Sequence, residues 1–215
     1  MAFDIRLKKN FKLFLSGPSG SGKTTFIVNL IRNIKDIAKD PPKLIIYYFK
    51  EWQPKFSDLA ETLNIQFLED SDKIIDHLSQ LSTSALVIFD DMMNSQNLKT
   101  VAQLFTVHGR HLDLSLAFLS QRLFKNDEFF RQISQNSDYM IIFKNPRNTR
   151  EIRTLAGQIT SRSLELVNIY NHATRDPYSY LFINLTQEVI PQLQYLTQIF
   201  STSGVVNVYV ISNCQ

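Results

Sequence analysis

Residues 17–24 read Gly17-Pro18-Ser19-Gly20-Ser21-Gly22-Lys23-Thr24, a full GxxxxGK[ST] pattern, and nothing else in the chain constrains its fold as tightly. The pattern follows an apolar, strand-like run, Phe11-Lys12-Leu13-Phe14-Leu15, and opens onto a helical one. That strand–loop–helix setting is what a phosphate-binding loop requires. Three glycines let the backbone curl until successive N–H groups point inward at phosphate oxygens. Lys23 adds a point charge on the same oxygens, and the Thr24 hydroxyl can ligate Mg²⁺. The helix that follows aims its positive N-terminal end at the anion. Residues 17–25, Thr25 included, are therefore the expected cradle of a nucleoside triphosphate, with ATP and Mg²⁺ as the ligands.

The rest of the chain alternates. Apolar helical spacing over Ile27–Ala38 leads to a strand at Leu44–Phe49. An irregular stretch around Trp52 and Pro54 leads to helices near Ser57–Leu63 and Ile74–Leu81, and then to a buried strand at Ala85–Phe89. Leu98 to Phe105 reads as a helix, Leu114–Leu119 as a strand, Phe129–Ile133 as a short helix and Tyr139–Phe143 as a strand. Two helical segments, near Thr149–Ala156 and Ser163–Tyr170, precede a last strand at Tyr178–Leu185. Strands alternating with helices, several of them continuously apolar, predict a parallel sheet covered on both faces. The expected fold is an α/β P-loop NTPase: a doubly wound, mainly parallel sheet with helices on both faces. The ligand belongs at the carboxyl ends of the strands. With no repeat or linker in view, 1–215 reads as a single P-loop ATPase domain.

A second signal is Leu86-Val87-Ile88-Phe89-Asp90-Asp91. An apolar strand that delivers a carboxylate at its tip is how such proteins hold the Mg²⁺ shell, which makes Asp90 the expected metal residue beside Thr24. Asp91 can orient the attacking water. A second acid next to the first favours hydrolysis over transfer to a small acceptor. A third signal is Gln121, at the end of Leu116-Ala117-Phe118-Leu119-Ser120. There an amide can sense the γ-phosphate or the lytic water. Arg110, in His108-Gly109-Arg110-His111, is either an arginine finger that supplies charge to a neighbouring subunit's nucleotide or a solvated turn arginine. The HxxH spacing lacks a third ligand, so zinc is not expected there.

Net charge is +3, too small to name a nucleic-acid partner by itself. Lys144, Arg147, Arg150 and Arg153 cluster, the last three at helical spacing, and form either a phosphate-contacting face or a solvated one. Asn148-Thr149-Arg150-Glu151 resembles a capping box. Lys8, Lys9 and Lys12 read as an exposed strand entry, and Tyr47, Tyr48, Phe49 and Trp52 as sheet core. The single Cys214 excludes a disulfide within the chain, and no apolar run approaches membrane-spanning length. The chain reads as soluble, intracellular and without a membrane role.

Taken in order, GPSGSGKTTF, LVIFDDMM, VHGRHLDLSLAFLSQRLF, NSDYMIIFKNPRN, HATRDPYSYLFINLT and QYLTQIF resemble the DNA-packaging ATPases of the FtsK/HerA superfamily. Within it they look most like the poxvirus-type enzymes shared by virophages and Polinton-like elements. The resemblance implies that Lys23 and Thr24 hold phosphate and Mg²⁺, Asp90 the metal, Asp91 the water, and that Gln121 is the sensor and Arg110 the finger. It further implies an ATPase that pushes double-stranded DNA, without regard to sequence, into a capsid. Its partners would be a homo-oligomeric ring (pentamer or hexamer) and a capsid or portal vertex, at the site of virion assembly or within the virion. A nucleoside or small-molecule kinase and an ATP-regulated assembly factor without translocation are the alternatives.

Overall fold

The computed structural model describes residues 4–52, 55–69, 73–92, 95–147, 149–200 and 205–211. Pro54, Asn148 and Cys214, and with Asn148 the expected capping box, lie outside them. The strands in chain order are β1 (Lys12–Ser16), β2 (Leu44–Phe49), β3 (Ile65–Glu69), β4 (Ala85–Asp90), β5 (Leu114–Ser120), β6 (Tyr139–Phe143), β7 (Tyr180–Asn184), β8 (Tyr195–Thr197) and β9 (Asn207–Tyr209). They form one sheet in the order β3-β2-β4-β5-β1-β6-β7-β8-β9. Every ladder from β3 to β6 is parallel, and those joining β6 to β9 are antiparallel.

The helices are α1 (Lys23–Arg32), α2 (Ile34–Ile37), α3 (Lys55–Leu63), α4 (Ile74–Ser79), α5 (Ser95–Gln103), α6 (Gly109–His111), α7 (Glu128–Gln135), α8 (Thr149–Ile159) and α9 (Ser163–Ala173). They cover both faces, because successive side chains of a strand point opposite ways. Leu13, Leu15, Tyr47, Ile88 and Ile141 pack with Ile27 and Leu30 of α1 and Phe56 of α3. Phe14, Tyr48, Val87, Phe118 and Ile142 pack on the other side with Val101 of α5, Phe130 of α7 and Leu155 of α8. This double burial is why β1, β5 and β6 are buried at every position. Each large apolar side chain so buried contributes about 1.5–3 kcal/mol.

Three local departures from the sequence reading have physical causes. The expected helix over Ile27–Ala38 breaks at Asn33 (ψ 13°), whose amide side chain donates to the Asn29 carbonyl at 2.8 Å. The helix through Phe105 continues as a π-helical turn, Leu104–His108, running straight into α6. Gly109 permits that wider turn, since a Cβ there would lie 2.7 Å from the Leu104 carbonyl oxygen. Arg110 is therefore helical rather than in an open turn. Third, β3, β8 and β9 were not expected. They are short strands at the sheet's two flanks, and β3 and β9 are only partly buried, which blurs the period-2 signal.

Candidate active site

Parallel strands β1, β4 and β5 all end at one pole, and β5 lies between the other two. The loop after β1, the acids after β4 and Gln121 after β5 are thereby brought side by side. They line a cleft of about 340 Å³ whose walls are Ser19–Thr25, Phe49, Lys50, Glu51, Asp90, Asp91, Leu119, Gln121 and Tyr178. Gly17 and Pro18 sit in the turn just behind that wall.

The loop's shape follows from its glycines. Gly20 and Gly22 have φ of 73° and 107°, values that side chains disfavour. At Gly17 a Cβ would lie 2.7 Å from Cβ of Phe143 and 2.6 Å from Oγ of Ser21. Lys23 Nζ donates back to the carbonyls of Gly17 (2.6 Å) and Pro18 (3.0 Å). Burial depresses the pKa of this lysine, and the nearby Asp90 and Asp91 carboxylates pull it part of the way back. Ser21 Oγ is buried with no hydrogen-bond partner. An orphaned buried hydroxyl in the wall of the cleft is what a phosphate oxygen would satisfy.

Asp90 and Ile88 share the face of β4 that α1 covers, and so does Tyr47 on the neighbouring strand, which pairs with Ile88. The Tyr47 phenol donates to Oδ2 of Asp90 at 2.5 Å. Burial, with the Asp90 carboxylate beside it, raises the phenol's pKa far above its usual value. Tyr47 thus stays protonated and fixes the Asp90 carboxylate, a hard oxygen donor of the kind Mg²⁺ takes. The sequence reading placed Tyr47 in the core, where it is, but missed this polar tip. The signal was a tyrosine instead of phenylalanine two residues before the end of a buried strand. If Asp90 holds Mg²⁺, Tyr47→Phe should keep the fold and raise the Mg²⁺ concentration needed for half-maximal ATP binding by about tenfold, as losing a partner of a metal ligand does. An unchanged Mg²⁺ dependence would reduce Tyr47 to a packing residue.

Asp91 leaves the strand at φ 57°, a left-handed conformation that aspartate tolerates better than most residues. Gln121 Nε2 donates to its Oδ2 at 3.2 Å. Lys23, Thr24, Asp90, Asp91 and Gln121 therefore converge. Arg110 does not join them. It precedes β5, and Gln121 follows it, so the length of the strand, about 20 Å at 3.3 Å per residue, separates Arg110 from its own chain's cleft. Arg110 instead borders a hollow at the opposite pole with Arg6, Lys8, Lys9, Lys12 and Lys39.

That hollow corrects the reading of Lys12 as exposed. Its strand is flanked by β5 and β6, so Lys12 is only 8% exposed and donates from Nζ to the Phe105 carbonyl of the π turn. Lys8 pairs with Asp138 at 2.7 Å, and Lys9 with Asp40 and Asp113. Arg147 is exposed in the turn before α8, so only Arg150 and Arg153 of the three share that helix, where both are exposed, whereas Lys144 donates to the Arg175 carbonyl at 3.0 Å. Among the described residues, no helix is long and apolar enough to cross a membrane.

Residues 3–108, which include the loop and β4, match the KAP family P-loop domain. The chain carries a P-loop NTPase domain. This NTPase shares its fold with B204, the DNA-packaging ATPase of Sulfolobus turreted icosahedral virus, at a TM-score of 0.57 and 13% identity over 95% of this chain and 99% of that one. The genome-packaging NTPase B204 of Sulfolobus turreted icosahedral virus 2, solved with sulfate, matches at a TM-score of 0.53 and 16% identity over 94% and 98%. The cytoplasmic domain of the type VII secretion ATPase EccC from Thermomonospora curvata matches at 0.52 and 15% over 84% of this chain but 24% of that one. No curated protein matches the sequence. The expected α/β P-loop architecture is therefore met.

Proposed function

We propose that this NTPase hydrolyses ATP to move double-stranded DNA and packages a viral genome into a capsid, as one subunit of a homo-oligomeric ring at the site of virion assembly. One observation carries the proposal. A cleft that gathers Lys23, Thr24, Asp90, Asp91 and Gln121 is built into a fold shared, over nearly the whole length of both chains, with viral genome-packaging NTPases. One of them was solved with ATP-gammaS, at a TM-score of 0.53.

In this reading the loop amides, Lys23 and Ser21 hold the triphosphate. Asp90 and Thr24 hold Mg²⁺, which neutralises charge on the β- and γ-phosphates when bound. Asp91 accepts a hydrogen bond from the water in line with the γ-phosphorus. Gln121, tethered to Asp91, registers whether the γ-phosphate is present. The place of Asp91 in the cleft wall, hydrogen-bonded to Gln121, supports this assignment.

The test is ATP turnover with and without duplex DNA. DNA should stimulate it regardless of sequence, and binding should weaken steeply with salt as phosphate neutralisation releases counterions. If Arg147, Arg150 and Arg153 each neutralise one phosphate, replacing all three with alanine should flatten the slope of log affinity against log salt by about 2.7, at about 0.9 per contact. An unchanged slope moves the DNA track elsewhere. No DNA binding by the assembled protein at low salt removes the motor reading.

A further inference from the structure

The order of the strands fixes which way a nucleotide must lie. Asp90, Asp91 and Gln121 stand on the β4–β5 side of β1, so the γ-phosphate end points that way. The sugar and base must then leave on the other side, over β6 and β7. Because β7 runs antiparallel to β6, its first residue, Tyr180, pairs with Phe143, the last of β6. The turn that precedes β7 is thereby delivered to the phosphate-loop pole. Tyr178 sits in that turn. It lines the cleft, it is 71% exposed, and its Cβ and carbonyl oxygen lie 3.5 and 3.7 Å from where a Cβ on Gly22 would be.

Two features make this more than a surface aromatic. The backbone of Tyr178 is left-handed, φ 63°, which a bulky aromatic residue seldom adopts. The turn is also held from both ends. Ser179 N and Oγ donate to the Asp176 carbonyl at 3.3 and 2.6 Å, and Lys144, just past β6, donates to the Arg175 carbonyl at 3.0 Å. A strained, braced turn that holds an uncovered ring beside a ligand cleft fits a ligand clamp. Two inter-strand spacings, about 10 Å, separate β7 from β1, room for a ribose between the phosphates and the ring.

We infer that Tyr178 is the platform on which the base of the bound nucleotide stacks, with a purine as its preferred partner because of the larger π-face. The phenol presents a face and not a set of base-edge donors and acceptors. The contact secures affinity and placement of the nucleoside, with little discrimination between ATP and GTP. Phosphate binding belongs to the loop, and base binding to a residue some 150 positions later in the chain.

The inference rests on the nucleotide reading of the cleft, and binding measurements separate the two. ATP and inorganic tripolyphosphate are titrated into the 215-residue chain with Mg²⁺. Failure of the unmodified chain to bind either ligand overturns the nucleotide reading itself. Tyr178→Gly keeps a residue at ease at positive φ while removing the ring. Tyr178→Asn does the same should the glycine variant not fold. Either should weaken ATP about tenfold, within the range for one lost aromatic–base stack, and leave tripolyphosphate unchanged. Tyr178→Phe should bind both ligands like the unmodified chain, since stacking needs no hydroxyl. Equal weakening of ATP and tripolyphosphate would assign the turn to shaping the loop, and unchanged ATP binding would remove the base from this ring. Either result overturns the inference.

Discussion

Asp91→Asn should leave ATP bound at near-normal affinity and lower turnover by about 10²–10⁴-fold, the range associated with a positioned general base. The geometry gives the reason for the split. Asp91 is not among the groups that wrap the loop. It stands past the end of β4, turned by its φ of 57° toward the amide of Gln121. Asparagine accepts the same left-handed backbone, so the swap alters the carboxylate and little else. A loss in kcat with KM unchanged identifies an interaction made in the transition state. Asp90→Ala should behave differently: with the carboxylate proposed to hold Mg²⁺ gone and Tyr47 left without its acceptor, the Mg²⁺-dependent part of ATP binding should disappear. Normal turnover in Asp91→Asn would mean that another group orients the water.

Much of this site was legible in the sequence because its parts sit at strand ends, where one-dimensional order already carries three-dimensional meaning. The loop, the double acid and the glutamine each follow an apolar run, and a parallel sheet brings such ends to one pole. What the sequence could not supply was lateral order. That β5 lies between β1 and β4 decides that Gln121 meets Asp91, and that β2 lies beside β4 decides that Tyr47 meets Asp90. Both depend on pairings between segments distant in the chain. Tyr178 was invisible for a related reason: it reaches the cleft only because β7 reverses direction relative to β6. Lys12 was misjudged because its charge suggests solvent, whereas a strand with neighbours on both sides offers the ammonium a backbone carbonyl instead.

The position of Arg110 yields the most demanding expectation. At the pole opposite its own cleft, it has no route to the nucleotide its own chain binds, so a catalytic role requires a neighbouring subunit. If it reaches a neighbour's γ-phosphate, hydrolysis should rise cooperatively with protein concentration as rings assemble. Arg110→Ala should then cost about 10³–10⁵ in turnover, the scale of a lost arginine finger, with little change in nucleotide affinity. Mixing discriminates further. An Arg110→Ala chain retains Asp91, and an Asp91→Asn chain retains Arg110, each being nearly inactive alone. In a mixed ring, some interfaces set the intact acid of one subunit against the intact arginine of the next, so a substantial fraction of the activity should return. Arg122, exposed just beyond Gln121, and Arg175, exposed in the turn before Tyr178, lie at the nucleotide pole and are the next candidates if Arg110 proves dispensable. Full turnover by a verified monomer, or no recovery in rings shown to contain both variants, would confine Arg110 to the surface chemistry of the far pole.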